Sequence, residues 1–114
     1  MQFTRSLKEN HIFRRLYSKG RSAADSCVVV YCRKNQTEEN RLGFTISKKL
    51  GHAVVRNRVR RRLREIYRLH EGSFQKGWDI VVVARSRAPE VPYERLEKSF
   101  LATAEKLGIY TETL

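Results

Sequence analysis

The sequence predicts an α+β domain, a two-layer α/β sandwich of helices on one sheet. Three observations carry this. Three stretches repeat apolar residues at helical spacing, three are β-branched or alternate, and the two kinds interleave within 114 residues. That length makes one domain, residues 1–114, with a single core that needs no staples.

The first helix is expected from about Lys8 to Lys19. Ser6 and Glu9 have capping-box spacing, Asn10 offers a later start, and Gly20 supplies the stop. Ile12 and Leu16 form a core stripe. Phe13 and Tyr17 form a second stripe, which fits either a core or a platform for stacking unpaired bases.

Cys27 to Arg33 is β-branched and aromatic, so it is expected as a strand. Its alternation puts Val28, Val30 and Cys32 on one face and Cys27, Val29 and Tyr31 on the other. The two cysteines then cannot bridge, and their spacing is neither a metal nor a redox motif. After a polar loop, Arg41 to Ser47 alternates Leu42, Phe44 and Ile46, a second strand expected to pair with the first as an antiparallel hairpin. Gly51 breaks the chain before a helix expected from Ala53 to Leu69. His70 to Trp78 is a loop. Asp79 to Arg85 is nearly continuously apolar, which suits a central strand. Pro92 opens a last helix carrying Leu96, Phe100, Ala104 and Leu107, ended by Gly108. The tail Ile109 to Leu114 is expected to fray.

Charge is concentrated in the middle. From Arg41 to His70 there are ten Lys or Arg against the single acid Glu65, +9 of the chain's +12. Six of the nine residues from Arg56 to Arg64 are arginine. On a helical wheel Val55, Val59, Leu63 and Ile66 fall within about 80°, while Arg56, Asn57, Arg60, Arg61, Arg64 and Arg68 spread over the opposite side. Such a helix packs its aliphatic back on a core and presents guanidinium groups that repel one another. A polyanion relieves that repulsion, and the planar Arg fork suits phosphate. A merely solvated face usually mixes signs, and this one does not. A membrane-surface helix is disfavoured, because the stripe lacks Trp and Phe.

Catalytic chemistry is not visible. Gly43 and Gly51 fit no phosphate-loop spacing, no nucleophile–His pair or carboxylate cluster stands out, and His11, His52 and His70 are scattered. No apolar run is long enough to span a bilayer and no secretory signal is seen, so a cytoplasmic protein is expected. The composition points to holding nucleic acid rather than cutting it. RNA is preferred over DNA, because Phe13, Tyr17 and Tyr31 could stack on unpaired bases and no helix-turn-helix precedes the basic helix.

The run Gly43-Phe44-Thr45-Ile46-Ser47-Lys48-Lys49-Leu50-Gly51-His52-Ala53-Val54-Val55-Arg56-Asn57-Arg58, followed by Arg60, Arg61 and Arg64-Glu65, resembles the bacterial ribonuclease P protein component. Its heart is the RNR motif Arg56-Asn57-Arg58. Leu7, Phe13, Tyr17 and Gly20 are spaced like that family's first helix, and Asp79 to Arg85 is similar to its last strand. The resemblance implies a four-stranded sheet with three helices, the added strand lying near Gly20 to Ala24. It also implies a left-handed β-α-β crossover, as in domain 2 of ribosomal protein S5, against the usual right-handed rule.

It implies the protein subunit of a ribozyme in which RNA and Mg2+ remove the 5′ leader of precursor tRNA, with one protein per RNA and no DNA partner. The protein itself would carry no catalytic residue and hold no metal. The RNA-binding set would be Lys48, Lys49, Arg56, Asn57, Arg58, Arg60, Arg61, Arg64 and Arg68, and the leader would lie in a cleft at Phe13, Tyr17 and Tyr31. Arg62 departs from the pattern. It borders the apolar stripe, where its stem can lie on the core with its head outward.

Overall fold

The strand Trp78–Ala84 governs the architecture, because it is apolar on both faces. Ile80 and Val82 belong to one buried cluster and Val81 to another. Both faces must therefore be covered. The computed structural model, which describes residues 1–112, shows how. In chain order it contains β1 (Thr4–Ser6), α1 (Asn10–Lys19), β2 (Arg21–Ala24), β3 (Val28–Lys34) and β4 (Asn40–Thr45). Then follow α2 (Ala53–His70), β5 (Trp78–Ala84) and α3 (Tyr93–Lys106). Short 3-10 turns occupy Lys48–Leu50, Glu71–Ser73 and Ala88–Glu90.

The helices do not share one layer. Ile12 and Leu16 of α1 pack with Leu7 and Val81 on one face. Val59, Leu63 and Ile66 of α2 pack with Leu96, Phe100 and Ala104 of α3 against Val30, Ile80 and Val82 on the other. The expected two-layer sandwich is thus a sheet with helices on both sides. Its five strands, not four, run in the order β1-β4-β5-β3-β2. The unexpected strand is β1, three mostly exposed residues with no alternation to announce them. The strand near Gly20 to Ala24 is present as β2.

The expected hairpin of β3 and β4 does not form. β5 lies between them, antiparallel to β3 and parallel to β4. A strand apolar on both faces is most stable where both its edges are also paired. Strands β1, β4, β5 and β2 all point the same way. The crossovers β1-α1-β2 and β4-α2-β5 step across the sheet in the same direction but pass over opposite faces. They must therefore have opposite hands, so one of them is left-handed.

Smaller expectations also shift. Ser6 lies in β1, and α1 starts after Glu9 with no side-chain cap. Gly20 ends α1 in extended rather than left-handed backbone; it is needed because a Cβ there would stand 2.6 Å from the Leu16 carbonyl oxygen. Cys27 precedes β3 instead of alternating within it, and it shares the main core with Cys32, both as free thiols. The tail does not fray at Ile109 and Tyr110. Both are buried, and Tyr110 bridges Phe74. The last two residues of the expected tail, 113 and 114, lie outside the described residues.

One polar network crosses this core. The Tyr67 hydroxyl meets Thr4 Oγ1 at 2.7 Å and accepts from Asn40 Nδ2 at 3.1 Å. Asn40 Oδ1 accepts from the Trp78 N–H at 2.9 Å. Glu71 accepts from the N–H groups of Gln2 and Phe3 and from the Thr4 hydroxyl, at 2.8, 3.2 and 2.6 Å. Burial opposes the charge on Glu71, but these donors outweigh it and hold the carboxyl below its ordinary range. The network fastens β1 to α2 and so sets the wall of the site described next.

Candidate nucleic-acid interface

Ser47 Oγ accepts from the Lys49 N–H at 3.2 Å and caps the 3-10 turn that leads into α2, and α2 itself, uncapped at His52, runs one residue past its expected end. Val59, Leu63 and Ile66 are buried as the wheel predicts, while Val55 is half-buried. Lys48, Lys49, Asn57, Arg58, Arg60, Arg61, Arg64 and Arg68 are exposed, and Arg56 is half-buried.

The exposed arginines are not equivalent. Arg68 grips Glu65 with two nitrogens, and that hydrogen bonding holds the Glu65 carboxyl below its usual range. Arg58 donates to the Pro89 carbonyl at 3.3 Å and Arg62 to that of Val91 at 3.4 Å, tying α2 to the loop before α3. Arg62 thus lies half-buried with its head toward the surface, as its place on the wheel requires. Arg56 Nε donates to the Gly51 carbonyl at 3.2 Å, and Arg60 Nη1 to Asn57 Oδ1 at 3.2 Å. Among the described residues none of Lys48, Lys49, Arg56, Arg58, Arg60, Arg61 or Arg64 pairs with a carboxylate. A row of cations without counter-charges is the signature of a face that meets an anion.

The aromatics gather on the α1 side of the sheet. Tyr17 stands edge-on to Tyr31, ring centroids 5.0 Å apart, and 6.5 Å from Phe13. The Tyr17 hydroxyl meets Thr45 Oγ1 at 2.6 Å. Tyr17 keeps 41% of its surface exposed, while Phe13 and Tyr31 are half-buried. They are neither core nor free, so they form a walled platform with open ring surface. Phe13 comes close to the sheet because β4 has glycine beneath it: a Cβ on Gly43 would stand 2.6 Å from Phe13 Cζ.

The two predicted groups meet. A cavity of about 330 Å³ is lined by Phe13 and Gly43 from the α1 face, by Phe44, Arg60 and Arg64, and by Ser6 of β1. Tyr17 and Tyr31 lie outside it and are linked to it through Phe13. Gly43, Thr45 and the residues of β1 were not singled out from sequence as site residues. Gly43 and Thr45 do alternate with the apolar residues of their strand, which places them on the α1 face.

The fold and this face define a class: a small, strongly basic α+β protein whose one helix presents uncompensated guanidinium groups beside an aromatic platform. The sequence pattern of the family described as Ribonuclease P matches residues 1–108. The chain is 44% identical to the ribonuclease P protein component of Alkaliphilus metalliredigens over 109 residues, 96% of this chain and 98% of that one. It is 40% identical to that of Natranaerobius thermophilus, covering 89% and 88%. The fold superposes on the RNase P protein of Staphylococcus aureus with a TM-score of 0.86 at 34% identity, covering 93% and 97%. The score is 0.79 at 33% identity for that of Thermotoga maritima, covering 85% and 92%. The chain belongs to the ribonuclease P protein family.

Proposed function

We propose that the chain is the protein subunit of a ribonuclease P holoenzyme that removes the 5′ leader of precursor tRNA. The catalytic RNA carries the chemistry, and one protein serves each RNA. The α2 face, from Lys48 and Lys49 through Arg56, Asn57, Arg58, Arg60, Arg61 and Arg64, binds the RNA subunit. Arg68, held by Glu65, contributes least. Phe13, Tyr17 and Tyr31 hold the single-stranded leader by stacking. The observation that carries this reading is the cavity whose lining includes Arg60 and Arg64 together with Phe13, since it joins a phosphate grip to a base platform.

Among the described residues no group of three or more His, Cys, Asp or Glu could hold an ion. In our reading Mg2+ is held by the RNA and substrate, and no step of the protein's own runs through it. The protein neutralises phosphates and so lowers the magnesium the RNA needs. The same reading assigns the left hand to β4-α2-β5, groups the fold with domain 2 of ribosomal protein S5, places the protein in the cytoplasm, and expects no DNA partner. Among the described residues no helix is long and apolar enough to cross a membrane.

The test is reconstitution. Protein, a ribonuclease P RNA and precursor tRNA are mixed at low magnesium, each component omitted in turn. Cleavage should require the RNA and rise strongly with the protein. Cleavage by protein alone, or equal binding of unrelated structured RNAs with no stimulation, would overturn the proposal.

A further inference from the structure

The α1 face of the sheet carries a second polar pocket that the proposed function does not use. It has a volume of about 400 Å³ and lies under the start of α1, where Arg15 overhangs a floor containing Arg33, Arg41 and Asp79. It shares none of Phe13, Tyr17 or Tyr31. Arg15 sits two residues from both Phe13 and Tyr17, about 200° around the helix from each, so the pocket opens on the opposite flank of α1.

Its charges are unbalanced in a specific way. Across the sheet, β5 places Asp79 between Arg33 on β3 and Arg41 on β4. Arg41 takes both oxygens of Asp79, at 2.7 and 2.8 Å, and Asn35 Nδ2 adds a third bond at 3.1 Å. Three of the roughly four accepting positions of Asp79 are thereby taken, and its charge is paired with Arg41. Arg33, directly across the ladder, has a buried Nη1 with no hydrogen-bond partner among the described residues. Arg15 lines the same pocket and pairs with no carboxylate among the described residues, whereas the Lys34 ammonium lies over the Trp78 ring, 5.8 Å from its centroid, on the other face of the sheet. The other lining acid, Glu9, lies 3.5 Å from His11. Counting Arg15, Arg33 and Arg41 against Glu9 and Asp79 leaves a formal charge of +1.

A buried guanidinium nitrogen without an acceptor costs free energy. A tetrahedral oxyanion entering the pocket supplies the missing acceptor once the Arg33 side chain turns outward to meet it, and the Arg fork matches it. We infer that this pocket is a phosphate seat built on Arg33, with Arg15 as its outer contact, and that it takes a backbone phosphate of an RNA strand passing behind α1. The source of the phosphate rests on the RNA-binding reading. The seat itself does not.

The test has two arms on the full chain. First, inorganic phosphate is titrated into the protein while the arginine Nε–H signals are followed by NMR. The Arg33 signal should move saturably, and Arg15→Gln, an exposed change that leaves the fold intact, should weaken the midpoint several-fold. An Arg33 signal that stays still while phosphate shifts other arginines overturns the seat. Second, the salt dependence of binding to ribonuclease P RNA and precursor tRNA is measured for wild type and Arg33→Gln. The log–log slope should become shallower by about 1 in the variant. An unchanged slope beside a positive phosphate titration overturns the RNA source and leaves an ion site. A slope near zero in the wild type instead overturns the RNA-binding reading.

Discussion

The two faces of the sheet are covered unequally. On one, α2 and α3 close over a continuous core running from Val28 and Val30 to Leu63, Phe100 and Tyr110. On the other a single helix, α1, buries only Leu7, Ile12, Leu16 and Val81 together. One helix cannot roof five strands, so Phe13, Tyr17 and Tyr31 keep part of their surface open. The comparison teaches that the closed face supplies stability and thereby frees the open one for contact. The arginine face belongs to the closed side's helix, turned outward, so the same α2 serves both purposes.

The largest expected effect breaks the closed face. Leu63→Ala removes a fully buried side chain beneath the arginines and should cost about 2–5 kcal/mol in denaturant unfolding. A loss under about 1 kcal/mol would mean that α2 is not fastened by that stripe.

On the open face, Phe13→Ala should weaken precursor tRNA by about 1–3 kcal/mol in equilibrium binding and leave mature tRNA nearly unchanged. Equal losses on both would remove the leader from the aromatic platform. Gly43→Ala sharpens this, because its Cβ would meet the Phe13 ring at 2.6 Å and push it off the sheet. It should reproduce the selective loss of precursor affinity although Phe13 itself is intact. Arg64→Gln should act on all RNA ligands alike and make the salt slope shallower by about 1.

The smallest effect is acid sensitivity. Asp25 fastens the β2–β3 turn to α3 on the closed side. Its burial opposes the charge, but hydrogen bonds from Ser99, Ser26 and the Cys27 N–H, with Arg95 nearby, outweigh this and bring its pKa from 3.8 to about 2. A depressed folded pKa stabilises at pH above the unfolded value and loses that contribution as pH falls through the folded one. Asp25→Asn should therefore lower stability at neutral pH and flatten its decline between about pH 4 and 2. An unaltered decline would assign the acid limb to other groups, Glu71 first.

What could be read from sequence was local. α2 was legible end to end, because its aliphatic spacing and its charge lie within one run of residues. Phe13, Tyr17 and Tyr31 were legible as candidates, yet core and platform could not be separated, since that choice depends on how many helices cover their face. β1 was hidden because its pairing with β4 is made by backbone across some 36 residues and its side chains carry no pattern. The false hairpin came from weighing sequence proximity above the needs of β5. A strand apolar on both faces needs two partners, and only β3 and β4 are long enough to serve. The role of Gly43 and the unpaired nitrogen of Arg33 exist only once distant strands are side by side.

The central claim is that uncompensated cations on α2 grip RNA phosphates. The most direct measurement is the affinity of the full chain for ribonuclease P RNA as salt is raised. With about six phosphates neutralised, the log–log slope should be roughly −4 to −5. A slope near zero, with binding intact, would contradict it.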